Sequence, residues 1–392
     1  MKILQVIPYF VPAWGYGGPV RVAYELSKRL VEKGHEVTVY TTDTLSKDSR
    51  VNKKVQEIDG IRVQYFPNLS NKLAWNHNIF LSPSMISIVK KRIQNFDIIH
   101  MHEYRTFQNI VVYNYAKKYG VPYVLQAHGS LPRMIAKQNL KKLFDFTWGY
   151  KILNDASKVI AVSKAEVKQY KHMGISKNKI VTIPNGLDVD KFKVLPENRK
   201  FKEKFHINKR IILFLGRIHK RKGIDFLIKS FFRLNIEKKD VVLVIAGPDD
   251  GHKDKLIELV NRLKISNSVY FVGYLDDNLS AYVDAEVLVY PSIHEIFGLV
   301  PFEAIMCGTP VIATDDCGCG EIIKETNCGF LVRYGNENDL KEKIKILLEK
   351  PEIGEKMVKK GKRYIVENLA WNKVAKKMEK VYESCIISLH NS

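Results

Sequence analysis

Two glutamates, Glu295 and Glu303, stand eight positions apart in the run HEIFGLVPFEAIMCGTPVIATD, and the residues around them limit what the pair could do. An apolar stretch, EVLVYPS, reads as a strand leading into the first acid, and a turn of Phe297, Gly298 and Leu299 follows it. The second acid falls in a predicted helix that opens near Pro301 and closes at Gly308. Proline suits a first helical turn and glycine the residue past the last. Backbone N–H groups left unpaired at such a helix start attract phosphate oxygens. Two carboxylates would repel a phosphate, so their fitting partners are hydroxyls. Phosphate beside hydroxyls describes a phosphorylated sugar, such as a nucleotide sugar. Taken alone, two acids in a loop are more often solvated surface charges.

Other segments offer complementary chemistry. FLGRIHKRKG sets Arg217 and Lys222 just past a strand and ahead of a helix, where a guanidinium can grip phosphate through two N–H groups and an ammonium adds a point charge. Lys220 and Arg221 keep open the plainer reading of a solvated basic loop. Near the start, GYGGPVR holds Gly17 and Gly18 in a turn that opens a helix, which lets an anion approach the backbone. The strand LQAHGS ends at His128, which could donate to a hydroxyl or steady developing charge, although a lone strand-end histidine is more often structural. His100 and His102 share one face of DIIHMHE, and Glu103 or His128 could complete a metal site, but nothing requires one, so no metal is expected. Cys307, Cys317, Cys319 and Cys328 cluster without a zinc spacing and read as free or packed thiols.

These residues need elements to position them. The chain has 392 residues, 45% hydrophobic and 27% charged, enough for two globular domains. Ile- and Val-rich strands alternate with amphipathic helical stretches, the pattern of parallel sheets covered by helices. The first series is KILQVI, EVTVYTT, IRVQYF, DIIHMH, PYVLQAH, KVIAVS and KIVTIPN, with helices near 19–33, 82–94, 106–118 and 164–172. A second series, RIILFLG, VVLVIAG, SVYFVG, EVLVYPS and PVIATD, carries helices near 223–233, 252–264, 300–307 and 337–349. The polar DVDKFKVLPENRK reads as the linker between them, and a break near Gly361–Asn368 precedes a last helix at about 371–388. The expected fold is α/β, with a domain over 1–190, a second over 198–368, and the terminal segment 371–392 completing the first. Ligand is expected at the carboxyl ends of the strands, in a cleft between the domains.

Together the segments GGPVRVAYELSKRLVEKGHEVTVYT, FDIIHMH, HGS, VIAVSKAE, IPNGLDVDKF, LGRIHKRKG, VIAGPDD and PSIHEIFGLVPFEAIMCGTPVIATD resemble the retaining family 4 glycosyltransferases of the GT-B fold, in the family's order along the whole chain. The resemblance implies two Rossmann-like domains, with the last helix crossing back onto the first. It also implies a nucleoside-diphosphate sugar as donor, no cofactor and no metal. By that resemblance Arg217 and Lys222 bind the donor diphosphate, and Glu295 holds sugar hydroxyls. Phe297, Gly298 and Leu299 bring backbone to sugar and phosphate, and Glu303 binds the ribose. Gly17 and Gly18 meet the diphosphate, and His128 sits near the transferred sugar. Where the family has a glycine-rich loop without cysteines, this chain reads DDCGCGEII after Thr314, which puts the sugar end of the pocket in doubt. The base pocket is expected around Gly247 and Tyr274.

The resemblance implies a hydroxyl acceptor, and a glycan or a polyprenyl-linked glycan is the expectation. The net charge is +21, of which +14 lies in residues 1–190, and such a basic half suits an anionic partner. The segment 133–153 mixes Lys137, Lys141, Lys142 and Lys151 with Phe144, Phe146, Trp148 and Tyr150. It reads equally as a helix lying on an anionic membrane surface or as one packing its aromatics inward. No apolar run approaches the ~20 residues that a span needs, the start reads as a strand, and five cysteines suggest a reducing compartment. A cytoplasmic protein, peripheral on the inner face of the membrane, is the expectation. RNA- and DNA-binding motifs are absent, so no nucleic acid is expected. The rival reading is a nucleotide-sugar epimerase of the same architecture.

Overall fold

The computed structural model describes residues 1–133 and 138–390. It divides into two compact units, Met1–Gly186 with Trp371–Ser392, and Leu187–Ala370. In the first unit, β1 (Lys2–Val6), β2 (Glu36–Thr42), β3 (Val55–Ile58), β4 (Ile61–Phe66), β5 (Ile98–His102), β6 (Tyr123–Gln126), β7 (Lys158–Ala161) and β8 (Ile180–Thr182) form one sheet. Its order is β3-β4-β2-β1-β5-β6-β7-β8. All pairs are parallel except β3 with β4. Successive residues of a strand serve opposite faces. Ile3 joins a core with helix Gly18–Glu32 and the last helix, whereas Leu4 joins a core with helices Ser84–Arg92 and Phe107–Tyr119.

The last helix, Trp371–His390, belongs to this unit because it buries Trp371, Val374, Met378 and Tyr382 beside Val22, Leu26 and Leu30. Burying each such side chain is worth about 1.5–3 kcal/mol. Gly186 is required beneath Trp371, since an added Cβ would come within 2.3 Å of the indole. The second unit repeats the architecture with β9 (Arg210–Leu215), β10 (Val241–Ala246), β11 (Val269–Gly273), β12 (Ala285–Tyr290), β13 (Val311–Thr314) and β14 (Phe330–Val332). These are all parallel, in the order β11-β10-β9-β12-β13-β14. Leu187 and Ala370, its first and last residues, bridge side by side, and the Leu187 N–H donates to Leu369 O at 2.7 Å.

Three features depart from the pattern read in the sequence. β3 is an added antiparallel strand in a hairpin closed by Asp59 and Gly60, both at positive φ, and its four residues are too polar and exposed to stand out. β14 is only three residues long. The break expected near Gly361–Asn368 does not start at Gly361. That glycine lies inside helix Pro351–Tyr364, which runs on through a wider turn, Ile365–Leu369. A Cβ there would meet Ile305 Cγ2 at 2.7 Å and Cys328 Cβ at 3.0 Å, so Gly361 is present to let two segments touch.

Candidate functional site

In the second unit, two loops at the carboxyl ends of adjacent strands are bolted together. After β9 comes Arg217, then a single turn Lys220–Lys222, then helix Ile224–Glu237. After β12 comes Glu295. Gly223 sits at φ 63°, and a Cβ on it would strike Pro291 O at 2.2 Å, while the Ile293 N–H donates to Arg221 O at 2.9 Å. This backbone contact puts Lys222 onto Glu295. The Lys222 ammonium pairs with Glu295 Oε2 and donates to the Tyr290 hydroxyl at 3.1 Å, and that hydroxyl donates to the same Oε2 at 3.1 Å. Lys222 also lies 5.2 Å from the centre of the Tyr290 ring, a cation–π contact. Burial by itself would raise the Glu295 carboxyl. The Lys222 charge and the two hydrogen bonds outweigh it and hold the group below its usual value. Glu295 is therefore ionised at neutral pH, and its Oε1 has no hydrogen-bond partner among the described residues.

The loop beyond Glu295 is fixed by glycines. Gly298, at φ 80°, runs past the Tyr290 ring, which a Cβ would meet at 3.0 Å. Gly318 opens helix Gly318–Thr326 against the same loop. Its N–H donates to Glu295 O at 2.8 Å, and a Cβ would lie 1.9 Å from Ile296 O. Phe297 is buried, with its ring 5.8 Å from that of Phe302, and Leu299 precedes helix Val300–Cys307. That helix ends on Gly308 in the left-handed region and carries Glu303, whose Oε2 accepts from the Tyr282 hydroxyl at 2.8 Å. All five cysteines are free and buried, and Cys317 and Cys319 bring their sulfurs within 3.0 Å.

Arg217 is the member of the set that the structure does not bring to Glu295. It is exposed and pairs with Asp250 at 2.8 Å on the loop after β10. The β9 and β10 loops touch through backbone, because a Cβ on Gly247 would meet Gly216 O at 2.0 Å; Tyr274, after β11, is exposed. The sequence reading missed Tyr290, Tyr282 and Asp250. Tyr290 left a trace as the polar end of an apolar strand, and the other two left none.

In the first unit, Gly17 caps helix Gly18–Glu32 at φ 95°, a conformation that favours glycine, and Gly18 faces open space where a Cβ would meet nothing. His128, just past β6, also has positive φ, 51°. Its turn is held by a buried acid that the sequence reading passed over: Glu166 accepts from the Gly129 N–H at 2.7 Å and the Val162 N–H at 2.8 Å. The next residues are pinned by Arg105, which donates to Ser130 O at 2.6 Å, to Leu131 O at 2.8 Å and to both oxygens of buried Asp145 at 2.9 Å. His128 Nε2 lies 2.9 Å from His102 Nδ1, so His100, His102 and His128 do assemble. Among the described residues, no group of three or more His, Cys, Asp or Glu is arranged to hold a metal ion.

The basic aromatic segment divides between its two readings. Phe144 packs edge-on against Tyr104, whereas Leu140, Leu143 and Phe146 stay exposed, Phe146 to 81%. Lys137 lies outside the described residues. No helix among the described residues is long and apolar enough to cross a membrane.

Comparison with known proteins settles the family. Residues 16–191 match the model for Glycosyltransferase Family 4, and residues 197–364 match the model for Glycosyl transferases group 1. The chain belongs to the family 4 glycosyltransferases of the GT-B fold. An uncharacterised glycosyltransferase of Methanocaldococcus jannaschii is 28% identical, covering 98% of each chain. The D-inositol 3-phosphate glycosyltransferase of Nocardiopsis dassonvillei is 26% identical over 97% of this chain and 93% of its own. Among solved structures, HepE of Anabaena in complex with UDP has a TM-score of 0.80 at 20% identity, covering 98% of this chain and all of that one. The chain is a glycosyltransferase of two parallel-sheet, Rossmann-like units, and an epimerase is not favoured. For this transferase the contact at Gly318 gives a direct test. Gly318→Ala must push the Ile296–Phe297 backbone away and so shift Glu295. A misplacement near 1 Å costs on the order of a hundredfold in rate. Transfer activity should fall by about that much while the far-UV circular dichroism spectrum is kept; a fully active Gly318→Ala enzyme would contradict the placement.

Proposed function

We propose that this glycosyltransferase moves a hexosyl group from a nucleoside-diphosphate sugar to a hydroxyl acceptor, with retention of anomeric configuration and without a metal ion, in the synthesis of glycans or cell-surface polysaccharide. The observation that carries the reading is Glu295, kept ionised by Lys222 and Tyr290 with Oε1 still open to accept from sugar hydroxyls. Lys222 then belongs to both partners. It orients Glu295 and offers positive charge to the diphosphate. Arg217 supplies the second cation by exchanging Asp250 for phosphate, at little cost because an exposed pair contributes about 0–1 kcal/mol. Glu303 takes the ribose hydroxyls, and the backbone at Phe297, Gly298 and Leu299 and at Gly17 and Gly18 approaches sugar and phosphate. His128 stands beside the transferred sugar.

In the reaction, the acceptor oxygen bonds to the anomeric carbon on the face from which the diphosphate oxygen departs, and the acceptor's proton passes to that oxygen. The cations stabilise the charge that develops on the leaving group, so Glu295 serves as a positioning group and not as a nucleophile. The similar HepE structures, in complex with UDP and with UDP-glucose, support a nucleotide-sugar donor. Calorimetry against UDP, GDP and their sugars should find one nucleotide that binds equally with and without EDTA. Arg217→Ala should lower turnover about a hundredfold. Near-normal turnover, or activity abolished by EDTA and restored by a divalent ion, would contradict the reading.

The acceptor is proposed to be polyprenyl-linked and met at an anionic membrane surface, on the inner face of the membrane. The supporting observation is the exposed apolar row of Leu140, Leu143 and Phe146 beside Lys142 and Lys151, on the unit that carries most of the positive charge. The protein should co-sediment with phosphatidylglycerol vesicles at low salt, and Leu143→Ser with Phe146→Ser should cut the bound fraction severalfold. Wild type left entirely in the supernatant at low salt would favour a soluble acceptor.

A further inference from the structure

Behind His128, buried side chains of the first unit form a continuous hydrogen-bonded row that none of the roles above uses. His128 Nε2 lies 2.9 Å from His102 Nδ1, and His102 Nε2 lies 2.7 Å from Gln5 Oε1. Gln5 Nε2 lies 3.4 Å from the Tyr382 hydroxyl, which is 2.7 Å from His100 Nδ1. The rings stack, His100 on His102 at 4.1 Å and His102 on His128 at 5.2 Å. Gln5, His100, His102 and Tyr382 are fully buried, so each link must be made by one proton and one lone pair from these groups themselves.

We propose that this row fixes His128 as its Nε2–H tautomer with a bare Nδ1, and that His102 and Gln5 are the positioning residues that set it. The assignment follows by elimination. The three rings stay neutral: burial, with the neighbouring rings adding to it, holds His102 well below the usual histidine value and lowers His100 to about 3, and burial alone lowers His128 to about 3. Gln5 Oε1 can only accept, so the His102 proton is on Nε2 and its Nδ1 is bare. A bare Nδ1 can only accept as well, so the proton between the two histidines belongs to His128 Nε2.

The far end of the row orients Gln5 the same way. His100 Nε2 and Gln126 Oε1 are both buried and neither makes a hydrogen bond among the described residues. The Tyr382 hydroxyl and His100 Nδ1, 2.7 Å apart, share one proton, and in either arrangement the Tyr382 oxygen keeps a lone pair. The Tyr382 oxygen is then free to accept from Gln5 Nε2. The donors all point one way, from His128 through His102 and Gln5 to Tyr382 on the last helix. A bare Nδ1 accepts from a hydroxyl and gives nothing to an anion, so His128 is set to receive a hydroxyl of sugar or acceptor. Only this consequence for turnover rests on the role proposed for His128 above.

Long-range ¹H–¹⁵N correlation spectra of the full chain labelled at histidine test the assignment, with signals assigned through His102→Gln and His128→Gln. At neutral pH, His102 and His128 should both be neutral and protonated on Nε2. A His128 protonated on Nδ1, or on both nitrogens, would overturn the proposal. Gln5→Met removes the acceptor at similar volume. It should leave His128 in mixed tautomers and lower kcat about tenfold, with donor KM within about twofold. An unchanged tautomer and an unchanged kcat in Gln5→Met would overturn the part assigned to Gln5. The wild-type spectrum decides the matter even if that variant does not fold. A His128→Gln enzyme with wild-type turnover would remove His128 from the chemistry, while the tautomer would still stand or fall on the spectrum.

Discussion

The constraint on which the second unit's site depends is a half-buried carboxylate that must stay charged and still have an oxygen to offer. Glu295 meets it by giving one oxygen to both Lys222 and Tyr290, so the cost of removing its charge from water is offset at Oε2 and Oε1 is left over. A partly buried ion pair is weak evidence for stability, because desolvation consumes much of what the pair gains. Its value here is geometric. The backbone contacts of Gly223 with Pro291 and of Gly318 with Ile296 allow no side chain, and they hold the three groups in register. Two strands, two loops and one helix end exist in their observed form so that these contacts can be made.

The first unit solves a different problem. Behind His128 its polar groups are buried without charge, in a row of neutral rings and one amide whose donors point from His128 to Tyr382. Such a network is costly if one member is missing, since each orphaned buried group costs about 1–3 kcal/mol. This explains why the last helix returns to the first unit with a tyrosine on its inner face. Tyr382 supplies the hydroxyl that Gln5 and His100 both need, while Trp371, Val374 and Met378 supply apolar burial. The architecture thus gives one unit a fixed positive charge beside a carboxylate and the other a histidine of defined proton position.

Much of this was legible in the sequence because it rests on local patterns. The strand and helix series and the helix between Pro301 and Gly308 follow from periodicity and caps, whereas the pairing of Glu295 with Lys222, 73 positions away, was not read. The hairpin strand Val55–Ile58 escaped because its residues are polar and half exposed, although Asp59 and Gly60 announced the turn. Gly361 misled because a glycine that ends a helix and one that lets helices touch look alike in one dimension. Tyr282, Asp250, Glu166 and the row from Tyr382 to His128 were illegible for another reason. Their partners lie 21, 33, 37 and up to 377 positions away, and only the folded sheet order brings them together.

The central claim is that charge held in place by Arg217 and Lys222, with Glu295 only positioning the sugar, drives transfer with retention. The most direct measurement is the anomeric proton of the first product formed from an α-linked nucleoside-diphosphate hexose, followed by ¹H NMR before any spontaneous equilibration. The account predicts an α-linked product throughout. A β-linked product would contradict it, because inversion requires attack from the face opposite the departing diphosphate, with a general base placed there.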